Sequence, residues 1–185
     1  MAALLAVGVC VSLLAQLSSR CVRREPLQTG RTYAIKKIVD GDTLVLAGGH
    51  TIRLIGVDTP EVYESPKLER NAAVSNLPEK TIRRMGRMAT RFVRRYCHGR
   101  VARVEFDPAN NDKGHLDAYG RFLAHVYLVT PDDPKQKGIY LNRALVRHGF
   151  ARSMGYAHLR RDEFRRLEAY ARRVKAGLWA YGPIP

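Results

Sequence analysis

Three short runs of β-forming residues, joined by two tight turns, constrain the fold of this chain more than any other feature. The runs cover residues 33–39, 43–47 and 51–57 and are rich in branched and aromatic side chains. Asp-Gly at 40–41 and Gly-Gly at 48–49 are typical of two-residue hairpin turns. The pattern predicts a three-stranded antiparallel meander, which must curl on itself or be covered by helices to bury its apolar side chains.

The rest of the pattern predicts two further strands and three helices. The strands cover 101–106 and 122–129, and the helices 81–96, 140–148 and 162–174, where apolar residues recur at helical spacing. Residues 62–80, with two prolines and no sustained period, predict a long surface loop. We therefore expect an α+β chain that is mainly β: a five-stranded OB-fold barrel packed with three α-helices, an architecture that binds oligonucleotides on one face.

The N-terminal end differs in composition from the rest of the chain. Residues 1–19 carry no charged side chain, and three arginines follow within residues 20–24. Such a run is typical of a signal peptide or a membrane-anchor segment. We expect secretion or membrane attachment through it, and whether it is cleaved stays open. Residues 20–31 predict a linker, which leaves 32–182 as one domain.

The charge balance points to a polyanionic partner. Thirty-two Lys and Arg face seventeen Asp and Glu, for a formal net charge of +15. Nucleic acid is the commonest partner of such a surface; anionic lipid and a merely solvated basic surface are the alternatives. The predicted domain holds a single cysteine, Cys97, which excludes a disulfide within it, and no Cys/His spacing suggests zinc.

Charged residues gather at the ends of the meander strands. Asp40 and Asp42 flank the first turn, Arg53 lies within the third strand, and Asp58 and Glu61 follow its end. Charge in a half-buried strand requires a partner, and adjacent strand ends lie close, so we expect Asp42 and Asp58 to converge. Two carboxylates, a backbone carbonyl and water suit Ca²⁺. The alternatives are turn chemistry for Asp40 and Asp42 and a structural ion pair of Arg53 with Asp58 or Glu61.

A second group of polar residues opens the fifth strand, in the stretch DAYGR. Arg121, like Arg53, carries a planar guanidinium that binds phosphate through two hydrogen bonds. Its structural alternative is an ion pair with Asp117. Tyr119 fits a base-stacking role or a core position equally well.

Five motifs in one order now carry a resemblance to a known family. They are VDGDTL, IRLIGVDTPE, DAYGRFLAHVY, LNRALVRHGFA and AGLW. The chain resembles the staphylococcal nuclease (thermonuclease) family over about residues 32–179. The resemblance implies an OB-fold barrel with three helices that cleaves DNA and RNA with Ca²⁺.

The resemblance also implies roles for individual residues. Asp42 and Asp58 match the carboxylate ligands of Ca²⁺, Thr59 contributes its carbonyl, and Asp40 matches an acid that reaches the ion through water.

For the reaction itself, Glu61 matches the proposed general base, Arg53 and Arg121 the phosphate-binding arginines, and Tyr119 the tyrosine of the nucleotide pocket. The chain departs from the family at Ala118, where a lysine is usual, and in its long 62–84 stretch.

Two functions follow from this comparison of motifs. The first is a calcium-dependent nuclease that hydrolyses DNA or RNA by metal-assisted, in-line attack of water, acting as a monomer. The alternative is a non-catalytic nucleic-acid-binding module of the same family. Retention of both arginines and all the acidic residues favours the enzyme.

Overall fold

The computed structural model describes residues 26–185, whose strands form a closed barrel. The strands are β1 (Thr32–Ile38), β2 (Thr43–Leu46), β3 (Thr51–Leu54), β4 (Val57–Asp58), β5 (Val101–Phe106), β6 (Phe122–Val129), β7 (Ile139–Tyr140) and β8 (Arg152–Ser153). The α-helices are α1 (Pro66–Ser75), α2 (Glu79–Cys97), α3 (Leu141–Arg147) and α4 (Arg161–Arg173). Single 3₁₀ segments cover Pro108–Lys113 and Gly177–Tyr181.

Five of these strands make the barrel, in the order β3-β2-β1-β5-β6. Neighbours along this order pair antiparallel, and a parallel pairing of β3 with β6, with Ile52 opposite Phe122, closes the ring. Fully buried aliphatic side chains fill the interior, among them Leu44, Val104 and Val126. The predicted meander and the OB-fold barrel are therefore confirmed.

The three predicted helices are present as α2, α3 and α4, each within two residues of its expected bounds. Helix α2 buries Ile82, Met85, Ala89 and Val93 against the rest of the protein and turns its arginines outward. No helix within residues 26–185 is long and apolar enough to cross a membrane. The predicted signal or anchor segment, residues 1–19, lies outside the described residues.

The predicted loop over 62–80 is wrong, because most of it forms α1. Ser65 caps this helix, its hydroxyl accepting a hydrogen bond from the Leu68 amide at 3.1 Å, and Pro66 occupies the first turn. A proline there lacks only an N–H that has no helical partner in any case. The helix buries only Leu68 and ends at Asn76 in the left-handed region. With so small an apolar face, its sequence resembles a loop.

The third predicted strand also ends early. It stops at Leu54 instead of Val57, because Gly56 has a φ of +77° that breaks the ladder. The chain then resumes as the short β4, which pairs with β8 instead of with the barrel.

A buried hydrogen-bond network joins the barrel to the start of α4. Asp107, fully buried, accepts hydrogen bonds from the Ala109 and Leu159 amides at 2.9 and 2.8 Å. His125 Nε2 lies 2.8 Å from the same carboxylate, and its Nδ1 lies 2.6 Å from the Tyr140 hydroxyl. Burial alone would raise the pKa of Asp107, but these hydrogen bonds hold that pKa below its ordinary 3.8. The carboxylate is therefore ionised at neutral pH.

Asp107→Asn should lower the free energy of unfolding at pH 7 by about 1.5–3 kcal/mol, the usual worth of hydrogen bonds to a charged group. A depressed carboxyl pKa stabilises the fold above 3.8, and that stabilisation disappears as pH falls towards the folded-state pKa. The difference from wild type should therefore shrink below about pH 4. Urea unfolding at pH 7, 5 and 3.5 measures it, with exposed Asp112→Asn as the matched control. Equal stabilities of Asp107→Asn and wild type at pH 7 would contradict this assignment.

Candidate active site

The candidate site forms where β3 and β4 meet the turn between β1 and β2. Asp42 and Asp58, 5% and 4% exposed, lie on either side of the Arg53 guanidinium. Arg53 Nη1 is 3.2 Å from Asp42 Oδ1, and Nη2 is 2.9 Å from Asp58 Oδ1. Arg53 also donates a hydrogen bond to the Val57 carbonyl at 2.7 Å. The acids and the arginine are thus in direct contact. The ion pair considered between Arg53 and Asp58 is formed, and Arg53 also pairs with Asp42.

Hydrogen bonds fix Asp42 as an ionised carboxylate. The amide and hydroxyl of Thr59 both donate to Oδ2 at 2.8 Å, and the Thr43 hydroxyl donates to Oδ1 at 3.2 Å. Burial alone would raise the pKa of Asp42, but the Arg53 charge and the Thr59 hydrogen bonds hold it below its ordinary value. Thr59, matched to a metal ligand through its carbonyl, presents its amide and hydroxyl to Asp42.

Asp40 lies next to Asp42, but its pKa is shifted in the opposite direction. Its Oδ1 accepts a hydrogen bond from the Asp42 amide at 3.0 Å. Burial and the negative charge of Asp42 raise the pKa of Asp40 to about 6. The hydrogen bond from the Asp42 amide is the turn interaction considered for Asp40, and it places Asp40 next to the site.

Lys67, which the sequence argument missed, contacts two of the acids. Its Nζ lies 2.8 Å from Asp58 Oδ1 and 2.6 Å from Glu61 Oε1. Burial disfavours the charged amine, but Asp58 and Glu61 outweigh it and raise the pKa of Lys67. Lys67 escaped notice because it lies on α1, in the segment predicted to be a surface loop. The available signal was Ser65-Pro66, a typical helix start.

Asp58 forms ion pairs with three cationic side chains. Besides Arg53 and Lys67, Arg152 from β8 places its Nη2 3.3 Å from Asp58 Oδ2. Within residues 26–185, no group of three or more His, Cys, Asp and Glu is placed to hold a metal ion. The donor chemistry of two buried carboxylates nevertheless suits a hard cation such as Ca²⁺. Such an ion would have to take carboxylate oxygens that Arg53 and Lys67 contact.

Arg121 and Tyr119 lie at the start of β6. Arg121 Nε is 2.7 Å from Asp117 Oδ2, so the ion pair considered for Arg121 is formed. Arg121 Nη1 also donates to the Thr43 hydroxyl at 3.4 Å, which in turn donates to Asp42. Tyr119 is 85% exposed, and the Arg121 guanidinium lies 5.3 Å from its ring centre. This exposure excludes the core position considered for Tyr119.

A cleft of about 390 Å³ brings the two arginines together. Arg53, Arg121 and Lys113 line it, together with Tyr156, whose hydroxyl accepts a hydrogen bond from the Gly56 amide at 2.9 Å. Three cationic groups on one cleft suit a phosphate group. Lys113 was not singled out from the sequence, because a lysine in a polar stretch carries no local signal.

Helix α2 supports the segment that carries Glu61. A methyl group at Gly86 would lie 2.5 Å from the Pro60 carbonyl oxygen and 2.6 Å from that of Glu61. The close approach of helix and segment therefore requires a glycine at this position.

Gly86→Ala should destabilise the protein by about 1–3 kcal/mol, as overpacking against backbone does. The sign is informative, because alanine in an unobstructed helix interior stabilises by about 1 kcal/mol relative to glycine. Chemical unfolding measures the change. Gly155→Ala is the control, since a methyl there meets nothing within 4 Å. A gain in stability for Gly86→Ala would show that the segment is not held by α2.

Comparison with known proteins places this geometry in context. The family described as staphylococcal nuclease homologue matches residues 51–181. An uncharacterised protein of Methanocaldococcus jannaschii is 30% identical over 151 residues, covering 78% of this chain and 70% of its own. The thermonuclease of Staphylococcus hyicus is 26% identical over 155 residues, covering 81% and 76%. The thermonuclease of Staphylococcus intermedius is 29% identical over 130 residues, covering 69% and 62%.

Proposed function

Because the chain belongs to the family of staphylococcal nuclease homologues, we propose that it is a calcium-dependent nuclease that hydrolyses phosphodiester bonds of DNA or RNA. The observation that carries the proposal is the pairing of Arg53 with two buried carboxylates, at a cleft that Arg121 also lines. The net charge of +15 supports a polyanionic substrate.

In this proposal the two arginines bind the scissile phosphate. Arg53 and Arg121 each offer a planar fork of N–H donors to the phosphate oxygens, where negative charge grows in the transition state. Glu61 is 25% exposed in its side chain, so water can reach it. It accepts a proton from the attacking water, directly or through a second water.

The acidic residues would hold the metal. Asp42 and Asp58 would ligate Ca²⁺ together with the Thr59 carbonyl, and Asp40 would act through water. Ca²⁺ supplies Lewis-acid polarisation of the phosphate when bound. The depressed pKa of Asp42 keeps one ligand ionised at neutral pH.

Lys67 gives the alternative function its physical basis. Its ammonium contacts both Asp58 and Glu61 and, together with Arg53 and Arg152, offsets their charge without any metal. A chain that keeps this arrangement would bind nucleic acid through its arginines without cleaving it. Activity assays separate the two functions.

Secretion or membrane attachment through residues 1–19, and action as a monomer, complete the proposal. Ca²⁺ is abundant outside cells, so a secreted enzyme of this kind would have its metal ion available. Secretion is the preferred outcome, and mass spectrometry of the mature N-terminus tests it. An intact Met1 on a protein shielded from external protease would contradict secretion and favour the membrane anchor.

The purified protein should cleave DNA or RNA with Ca²⁺ and lose this activity in excess chelator. Arg121→Lys keeps the charge but loses the planar fork, so kcat should fall by about 10². The matched control is Arg165→Lys, on the exposed face of α4. Gel and fluorescence assays of cleavage give the rates. Full activity in chelator would refute the calcium requirement, and binding with no cleavage under any condition would favour the non-catalytic module.

Lys67→Met should strengthen Ca²⁺ binding by about tenfold, because it removes a positive charge that contacts Asp58 and Glu61. Isothermal titration calorimetry of chelator-treated protein measures the affinity directly. Lys80→Met, an exposed change of equal charge on α2, is the control. If both variants bind Ca²⁺ with the same affinity, Lys67 does not compete with the ion.

A further inference from the structure

A second cleft lies where β7 and α3 meet the start of α4. It has a volume of about 650 Å³ and shares no lining residue with the cleft that holds Arg53 and Arg121. Its lining includes four basic side chains: Lys137, Arg143, Arg147 and Arg160. Nothing in the proposed mechanism uses this cleft.

The charge of this second cleft is strongly positive. Glu163 is the acidic residue among its lining, and its carboxylate lies 2.7 Å from Arg143 and 3.6 Å from Arg160. Four basic groups against one carboxylate leave three positive charges. Both arginines remain about half exposed, at 47% and 50% of their side chains, so they can still reach a ligand.

Two of the aromatic rings that line the second cleft are already engaged in contacts of their own. Tyr127 and Tyr140 stack with their ring centres 4.7 Å apart, and the Arg103 guanidinium lies 5.1 Å from the centre of Tyr127. The Tyr140 hydroxyl is tied to His125 at 2.6 Å. A nucleobase stacking on Tyr127 or Tyr140 would compete with these contacts, whereas an anion meets the exposed cations directly. The chemistry favours phosphate groups.

We infer that the second cleft binds the phosphate backbone of a polynucleotide that also occupies the first cleft, the one lined by Arg53 and Arg121. The inference rests on the proposed function only in taking nucleic acid as the ligand. One chain segment joins the two clefts: Tyr156 and Ala157 line the first, and Arg160 lines the second. Three residues span at most about 11 Å, so the backbone positions of Ala157 and Arg160 are separated by no more than the rise of about three stacked nucleotides.

Binding of one strand to both clefts predicts a dependence on substrate length. A dinucleotide contacts the first cleft alone, and a strand of twelve nucleotides is long enough to contact both. The second cleft should therefore contribute to the affinity of the long strand and not to that of the dinucleotide.

The test removes two cations and leaves no carboxylate unpaired. Because Glu163 pairs with Arg143 and Arg160, the variant is Lys137→Ala with Arg147→Ala. Binding of fluorescein-labelled dinucleotide and twelve-nucleotide single strands is measured by anisotropy in excess chelator, so that no cleavage occurs. Affinity for the long strand should fall about tenfold, and the slope of log K against log salt should decrease by about 1.4, or 0.7 for each lost phosphate contact. Dinucleotide affinity should not change.

The matched control is Arg165→Ala with Arg166→Ala, which removes the same charge from an exposed face of α4 that lines neither cleft. An equal loss in this control would show that net charge alone matters and would overturn the inference, as would unchanged long-strand affinity or an equal loss for the dinucleotide. Cleavage is scored separately with Ca²⁺. A protein that never cleaves but shows the expected binding pattern would refute the nuclease and support the second cleft.

Discussion

The guanidinium of Arg53 lies between two buried carboxylates, and the geometry of the whole site depends on that contact. Its side chain is 13% exposed and touches Asp42 and Asp58 at once. Removing one member of such a buried group leaves an uncompensated charge, which typically costs about 3–5 kcal/mol. The barrel register supplies the positions, since Arg53 lies opposite Thr43 on β2 and Asp42 immediately precedes Thr43. The site is therefore part of the barrel's own structure.

Around this contact, the site balances its charges internally. Asp58 is surrounded by Arg53, Lys67 and Arg152, so its negative charge is neutralised by side chains. Any phosphate or metal ion that enters must exchange with contacts that already exist. The guanidinium of Arg53 can exchange a carboxylate contact for a phosphate oxygen. The ammonium of Lys67 can move from the acids into solvent, because its side chain is long and flexible. The exchange of one cation for another is thus the central physical event of the proposed chemistry.

The basic side chains of this protein do not all contribute in the same way to attraction for a polyanion. Arginines on the outer face of α2 and α4 are solvated, and their attraction for nucleic acid is general and sensitive to salt. The two clefts differ because their cations converge on a concave space whose walls are held by buried networks. Asp107, His125 and Tyr140 support the second cleft in this way. Basic side chains that line one concave space concentrate positive potential at that place, which the net charge of the whole protein does not do.

The sequence by itself determined the barrel, because the alternation and turn residues of the meander are local and allow few arrangements. It also determined the family, since five motifs in order point to one architecture, and the match over residues 51–181 confirms it. Tertiary structure revealed that residues 66–75 form a helix, because their small apolar face gives only a weak periodic signal, although Ser65-Pro66 is a typical helix start. It alone placed Lys67 on Asp58 and Glu61, and Lys113 in the cleft that Arg121 also lines, because these placements depend on how separate segments of the chain pack. Charged partners brought together across the fold leave no local pattern in the chain.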